Sequence, residues 1–207
     1  MAKTEISTLG EFGLIKHLTK DFPTHQPSTQ KAIGDDAAVI NHKDKRTLIT
    51  TDLLLEGIHF NLEYAPLKHL GYKAAVVNFS DIYAMNATPT QITVSLGISK
   101  RFSVEDLEEL YAGIRLACER YNVDLVGGDT SASMTGLTIS ITCLGTAYDS
   151  DIVYRDGAKV KDLICVTGNL GTAYMGLQLL ERERIVMNAN ENATPAFEGR
   201  EYLLERQ

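Results

Sequence analysis

A chain of 207 residues, 44% of them hydrophobic, is long enough for one packed domain and the beginning of a second. A formal net charge of −7 excludes a general nucleic-acid binder, because that chemistry needs lysine and arginine to displace counterions from phosphates. No apolar run approaches the roughly 20 residues that span a bilayer, and Met1-Ala2-Lys3-Thr4-Glu5 lacks the apolar stretch of a secretory signal, so a cytoplasmic protein with no membrane partner is expected. Cys118, Cys143 and Cys165 stand far apart in apolar sequence and are expected as buried, reduced thiols without a chemical role.

In chain order, Glu11 to Lys20 carries apolar residues at helical spacing and stops before Asp21-Phe22-Pro23, which predicts a short helix. Ala37 to Ile40 and Thr47 to Thr51 are β-prone runs around a polar turn, which places Asp36 and Asp52 at strand ends. From Pro66 the series Leu70, Ala74, Val77, Asp81 and Met85 predicts a long helix that runs up to Ala87-Thr88-Pro89. Gln91 to Ile98 is a strand, and Ser103 to Asp106 is an N-terminal cap for an amphipathic helix over Leu107 to Tyr121. Val123 to Val126 is a strand leading into Gly127-Gly128-Asp129, and Gly136 to Thr146 is another. Asp162 to Thr167 reads as a later strand, followed by a helix to about Arg184, an exposed loop over Asn188 to Thr194 and a last helical segment. This order argues for an α+β domain, a mixed and partly antiparallel sheet packed with helices, over residues 1–148, and the start of a second α/β domain over 149–207.

Four acidic motifs adjoin these apolar segments: Gly34-Asp35-Asp36-Ala37, Thr50-Thr51-Asp52, Asn78-Phe79-Ser80-Asp81 and Gly127-Gly128-Asp129-Thr130. Carboxylate oxygens suit magnesium, which keeps several waters and bridges to phosphates, and glycines let a polyphosphate approach the backbone. Each motif also has a plainer reading. Taken alone, Gly34-Asp35-Asp36 reads first as a turn and His59 first as a satisfied half-buried histidine, and Arg155 also reads as a surface charge. Asp81 shares a helical face with Asn78 and Met85, which aims its carboxylate toward buried surface and demands a partner there, whether a backbone donor or a metal. No Gly-x4-Gly-Lys-Ser/Thr loop and no kinase-type glycine loop is present, so a third solution to phosphate binding is needed.

The ordered set Gly34 to Ala38, Thr50-Thr51-Asp52 with Glu56-Gly57-Ile58-His59-Phe60, Asn78 to Asp81 with Ala84-Met85, Ala87 and Pro89, and Gly127 to Thr130 resembles thiamine-monophosphate kinase, in the superfamily of aminoimidazole ribonucleotide synthetase-like ATP enzymes. Tyr154-Arg155, Gly157-Ala158-Lys159, Asp162 and Val166-Thr167-Gly168 extend the match. The resemblance implies transfer of the ATP γ-phosphoryl group onto thiamine monophosphate, assisted by several magnesium ions. It implies Asp36, Asp52, Asp81 and Asp129 as catalytic carboxylates and, with Thr50 and Thr51, as magnesium-site positions. It further implies His59 as a substrate contact, Tyr111, Gly128, Asp129 and Arg155 as nucleotide contacts, and a homodimer built on the N-terminal sheet.

Two substitutions depart from the family pattern. Asn86 stands where glycine is usual and is the next-best residue for a left-handed turn. Lys161 replaces a turn glycine. The family's C-terminal motifs have no counterpart, so the chain reads as truncated. The alternatives are another ATP-using synthetase of the superfamily and, for a truncated chain, a noncatalytic nucleotide-binding dimerisation module.

Overall fold

The structure, a computed structural model, describes residues 4–33, 39–40, 44–154, 157–190 and 193–206. Its helices and strands are α1 (Gly10–Thr19), β1 (Thr29–Lys31), β2 (Val39–Ile40), β3 (Arg46–Leu55), α2 (Leu67–Ala84), β4 (Thr88–Ile98), α3 (Val104–Tyr121), β5 (Asp124–Ala132), β6 (Thr138–Ala147), α4 (Thr172–Ala189) and α5 (Glu201–Leu204). They fall into two compact units, Met1–Gly157 and Ala158–Gln207.

In the first unit four strands form a mixed sheet in the order β3-β6-β4-β5, with β3–β6 and β6–β4 antiparallel and β4–β5 parallel. The expected α+β architecture with a partly antiparallel sheet is what the chain adopts. Side chains alternate across a strand, so Ile92, Val94, Leu96 and Ile98 of β4 and Ile139, Ile141 and Cys143 of β6 all turn into one core beneath the helices. The other face keeps Ile49 at 68% and Leu53 at 53% exposure.

Helix starts and stops follow local chemistry. Pro66 enters α2 with extended backbone. Ser103 and Asp106 close a reciprocal capping box on α3, each side chain accepting the other's backbone N–H. Asn86 after α2 and Lys161 in the second unit both take positive φ, 57° and 81°, at the two positions where the resemblance led to glycine being expected. The α2–α3 crossing depends on two glycines. A Cβ at Gly71 would lie 2.0 Å from the Leu110 carbonyl oxygen, and one at Gly113 would lie 1.9 Å from that of Lys68.

Several expectations are corrected. Asp52 does not end a strand, because Leu53–Leu55 continue the ladder against Thr138–Ser140. Gly127, Gly128 and Asp129 likewise lie inside β5, paired with Thr93, Val94 and Ser95. Gly128 is required there, since a Cβ would meet the Val94 carbonyl oxygen at 1.8 Å. The helix after Pro66 ends at Ala84, before the Asn86 turn. Asn188 and Ala189 extend α4 and are not loop. Asp162 to Thr167 forms no strand: among the described residues of the second unit there is no strand to pair with it, and Leu163, Ile164 and Val166 are exposed. Cys165 is exposed as well, whereas Cys118 and Cys143 are buried as expected.

A buried carboxylate unmarked in the motif reading ties the N-terminal loop to the sheet. Asp124, at the start of β5, accepts the His25 and Gln26 backbone N–H groups and the Thr29 hydroxyl. The neighbouring Gln91, also buried, donates to the Ser28 and Thr29 hydroxyls. Replacing Asp124 by alanine strands three donors, so Asp124→Ala should lower stability by about 3 kcal/mol. Urea unfolding checks this, and a change within the error of the curve would remove the latch.

Candidate functional site

The site begins with the alternation of β3. Thr50 and Asp52 share one face and Thr51 takes the other, where its hydroxyl donates to the Ile141 carbonyl at 3.1 Å and accepts from Thr142. The three residues therefore do not converge through their side chains as the motif suggested. Because β3 is an edge strand, α2 overhangs it, and the Thr50 hydroxyl donates to a carboxylate oxygen of Asp81 at 2.8 Å. Asp81 is not aimed into the core: Asn78, one turn earlier, takes the buried position, and Asp81 emerges beside the sheet edge with its carboxylate exposed.

Thr50, Asp52 and Asp81 thus come together where α2 meets β3. Burial comes first and the Asp81 charge second in raising the Asp52 carboxyl above the ordinary aspartate range, while His59 opposes both. Among the described residues neither Asp52 nor Asp81 is in an ion pair with lysine or arginine. Two neighbouring acids, one of them bonded to a hydroxyl and neither in an ion pair with lysine or arginine among the described residues, are a donor set suited to a hard cation such as magnesium.

His59 is placed by a tight turn after β3. Ile58 and His59 donate their backbone N–H groups to the Leu55 carbonyl, and Gly57 supplies the positive φ of 80° that the turn requires. The Leu55 N–H donates to His59 Nδ1 at 3.0 Å, so the neutral ring carries its proton on the exposed Nε2 edge. Glu56 locks the turn by accepting the Leu137 N–H at 2.8 Å and pairing with Arg101. A cavity of about 520 Å³ opens beside the turn, lined by Glu56, Asn61, Glu63, Arg101, Phe102 and Asp106 among others.

The remaining expected site residues are not part of this convergence. Asp129 lies on β5, one residue beyond Gly128, which shares a cross-strand row with Asp52 through Ile141 and Val94. The register puts it three strands from Asp52, roughly 14 Å at about 4.8 Å per strand, and on the opposite face. Tyr111 is buried beneath Phe22, ring edge to ring face with centroids 6.3 Å apart, and burial pushes its hydroxyl up to about 12. Among the described residues no group of three or more histidine, cysteine, aspartate or glutamate side chains is arranged to hold a metal ion. Gly34 to Ala38, with Asp36, and Arg155 lie outside the described residues.

The motif reading missed the role of Asn78, although its position three residues before Asp81 was a usable signal. Asp124 also had a signal, a carboxylate inside the apolar run Val123 to Val126.

A raised carboxyl favours the folded state while protonated, and that contribution is lost as pH rises through its folded value. Without divalent cations, Asp52→Asn should therefore melt above the wild type at pH 7, with the gap closing as pH falls below the ordinary aspartate range. Thermal unfolding in chelator reads the difference, and a wild type that melts higher at pH 7 contradicts it.

Residues 34–147 match the family described as AIR synthase related protein, N-terminal domain. The thiamine-monophosphate kinase of Aquifex aeolicus is 38% identical over 179 residues, 86% of this chain and 55% of that protein. The crystal structure of thiamine-monophosphate kinase from Stenotrophomonas maltophilia superposes with a TM-score of 0.71 at 31% identity, covering 84% of this chain and 54% of that one. A structure of AaThiL complexed with AMPPCP and TMP gives a TM-score of 0.67 at 34% identity, covering 100% of this chain and 60% of the other. The chain spans about half the length of the curated relatives it matches. By its sequence from residue 34 to 147 and by its fold, the chain belongs to the AIR synthase-related family, with thiamine-monophosphate kinases among its relatives.

Proposed function

We propose that this chain carries the ATP- and magnesium-binding domain of a cytoplasmic thiamine-monophosphate kinase, which transfers the γ-phosphoryl group of ATP directly to thiamine monophosphate. The observation that carries the reading is the approach of Asp52 to Asp81, whose carboxylate takes the Thr50 hydroxyl, without a lysine or arginine ion pair among the described residues. The AaThiL complex with AMPPCP and TMP supports the choice of substrates.

The reaction brings two anionic phosphates into line, so it is governed by positioning and by charge neutralisation. Magnesium held at Asp52 and Asp81 would offset phosphate repulsion and stabilise charge on the transferred group, with Asp36 and Asp129 proposed as ligands of further ions. Thr50 orients Asp81 through its hydroxyl, and a Thr51 contribution would come from its backbone oxygen. His59 presents a donor edge toward the substrate. Gly128, Asp129, Arg155 and Tyr111 remain the nucleotide positions of the reading. A second copy of the chain is the proposed cover for the sheet face away from the helices, where Ile49 and Leu53 are exposed.

The chain is incubated with Mg-ATP and thiamine monophosphate, thiamine diphosphate is quantified by chromatography, and binding of a non-hydrolysable ATP analogue is measured in parallel. Wild type should bind the analogue in a magnesium-dependent manner, and Asp52→Asn should weaken that binding at least tenfold. Product above the Asp52→Asn background supports catalysis by this chain, whereas binding without product favours the dimerisation-module reading. Analogue binding that ignores both magnesium and the substitution sinks the metal-site reading, and a monomer in sedimentation sinks the dimer.

A further inference from the structure

Asn78 is fully buried, with 0% of its surface exposed, in the middle of α2. Both ends of its amide are used. Its Nδ2 donates to the Ala74 carbonyl one turn back at 3.0 Å, and its Oδ1 accepts the backbone N–H of Asp52 at 3.0 Å. The second bond is unusual in its placement, because β3 is an edge strand whose outward N–H groups have no neighbouring strand to receive them. The helix supplies the missing acceptor at the one residue whose carboxylate faces Asp81. The amide cannot be turned around, since its NH2 would then face the Asp52 N–H and its oxygen the Ala74 carbonyl.

From this we infer that Asn78 is a positioning residue for the cation site, an inference that rests on the reading of Asp52 and Asp81 as cation ligands. Desolvation and the like charge of Asp81 both disfavour the charged form of Asp52. A backbone gripped at its own N–H holds the side chain's origin still, and so would fix where Asp52 stands relative to Asp81 when a cation binds. Thr50 orients the Asp81 carboxylate on the helix side, and Asn78 fixes the Asp52 backbone on the strand side. A residue that only packs α2 on the sheet would affect folding without changing the affinity of the folded protein for a cation.

Two substitutions separate the functions of the amide. In Asn78→Ser the hydroxyl can bond back to the Ala74 carbonyl but is too short to reach Asp52. In Asn78→Asp a carboxylate oxygen still accepts the Asp52 N–H while the donor to Ala74 is lost. Binding of Mn2+ alone is followed by electron paramagnetic resonance on the folded fraction of the whole chain, with Asp52→Asn in parallel. Asn78→Ser should bind at least tenfold more weakly than the wild type, and Asn78→Asp no more weakly than the wild type. Weak binding by Asp52→Asn with wild-type binding by Asn78→Ser overturns the role of Asn78 and spares the site. Unchanged binding by Asp52→Asn overturns the site itself, and the inference with it. Amide hydrogen exchange on the wild type gives a reading that needs no variant: the Asp52 amide should be protected at least tenfold over other outward-facing amides of β3, and equal exchange overturns the grip.

Discussion

A helix laid across the edge strand of a sheet is the contact from which the site is built. Asn78 of α2 takes the Asp52 N–H, and Asp81, one turn later, receives the Thr50 hydroxyl. The first bond removes an orphan donor from the edge, and the second draws a carboxylate toward another that is already partly desolvated. The geometry that completes hydrogen bonding between helix and sheet therefore also concentrates negative charge. The proposed cation would offset the cost of that charge and so couple the local stability of β3 to the ligand.

The rest of the first unit holds α2 in place. The helix cannot move toward or away from α3 without disturbing the glycine contacts at Gly71 and Gly113, where backbone meets backbone. The capping box at Ser103 fixes where α3 begins, and the buried Asp124 fastens the N-terminal loop against β5. From there the chain enters β1. The Glu56 clasp, bonded to Leu137 and paired with Arg101, sets the turn that carries His59.

Local chemistry was legible in the sequence wherever it depended on neighbours in the chain. The Ser103 cap, the Pro66 helix start and the left-handed Asn86 are such cases. Features that depend on pairing were less legible. Asp52 and Gly127-Gly128 were read as ending strands, but distant partners carry both ladders onward. Asp162 to Thr167 has strand composition and no strand to pair with among the described residues. Asp81 and Asn78 were placed correctly on one side of a helix, yet the 60° or so between residues three apart separates a buried amide from an exposed carboxylate. Four acidic motifs in sequence also gave no hint that the register sends Asp129 to the far edge and opposite face of the sheet from Asp52.

Asp52 and Asp81 are proposed to hold a divalent cation together. Crystals grown with Mn2+ and a non-hydrolysable ATP analogue, with anomalous scattering recorded at the manganese edge, test it directly. A peak within coordination distance of both carboxylates, on the Thr50 side of β3, is the result expected. Manganese bound only elsewhere, with Asp52 and Asp81 turned apart or paired with a lysine or arginine, would contradict the account.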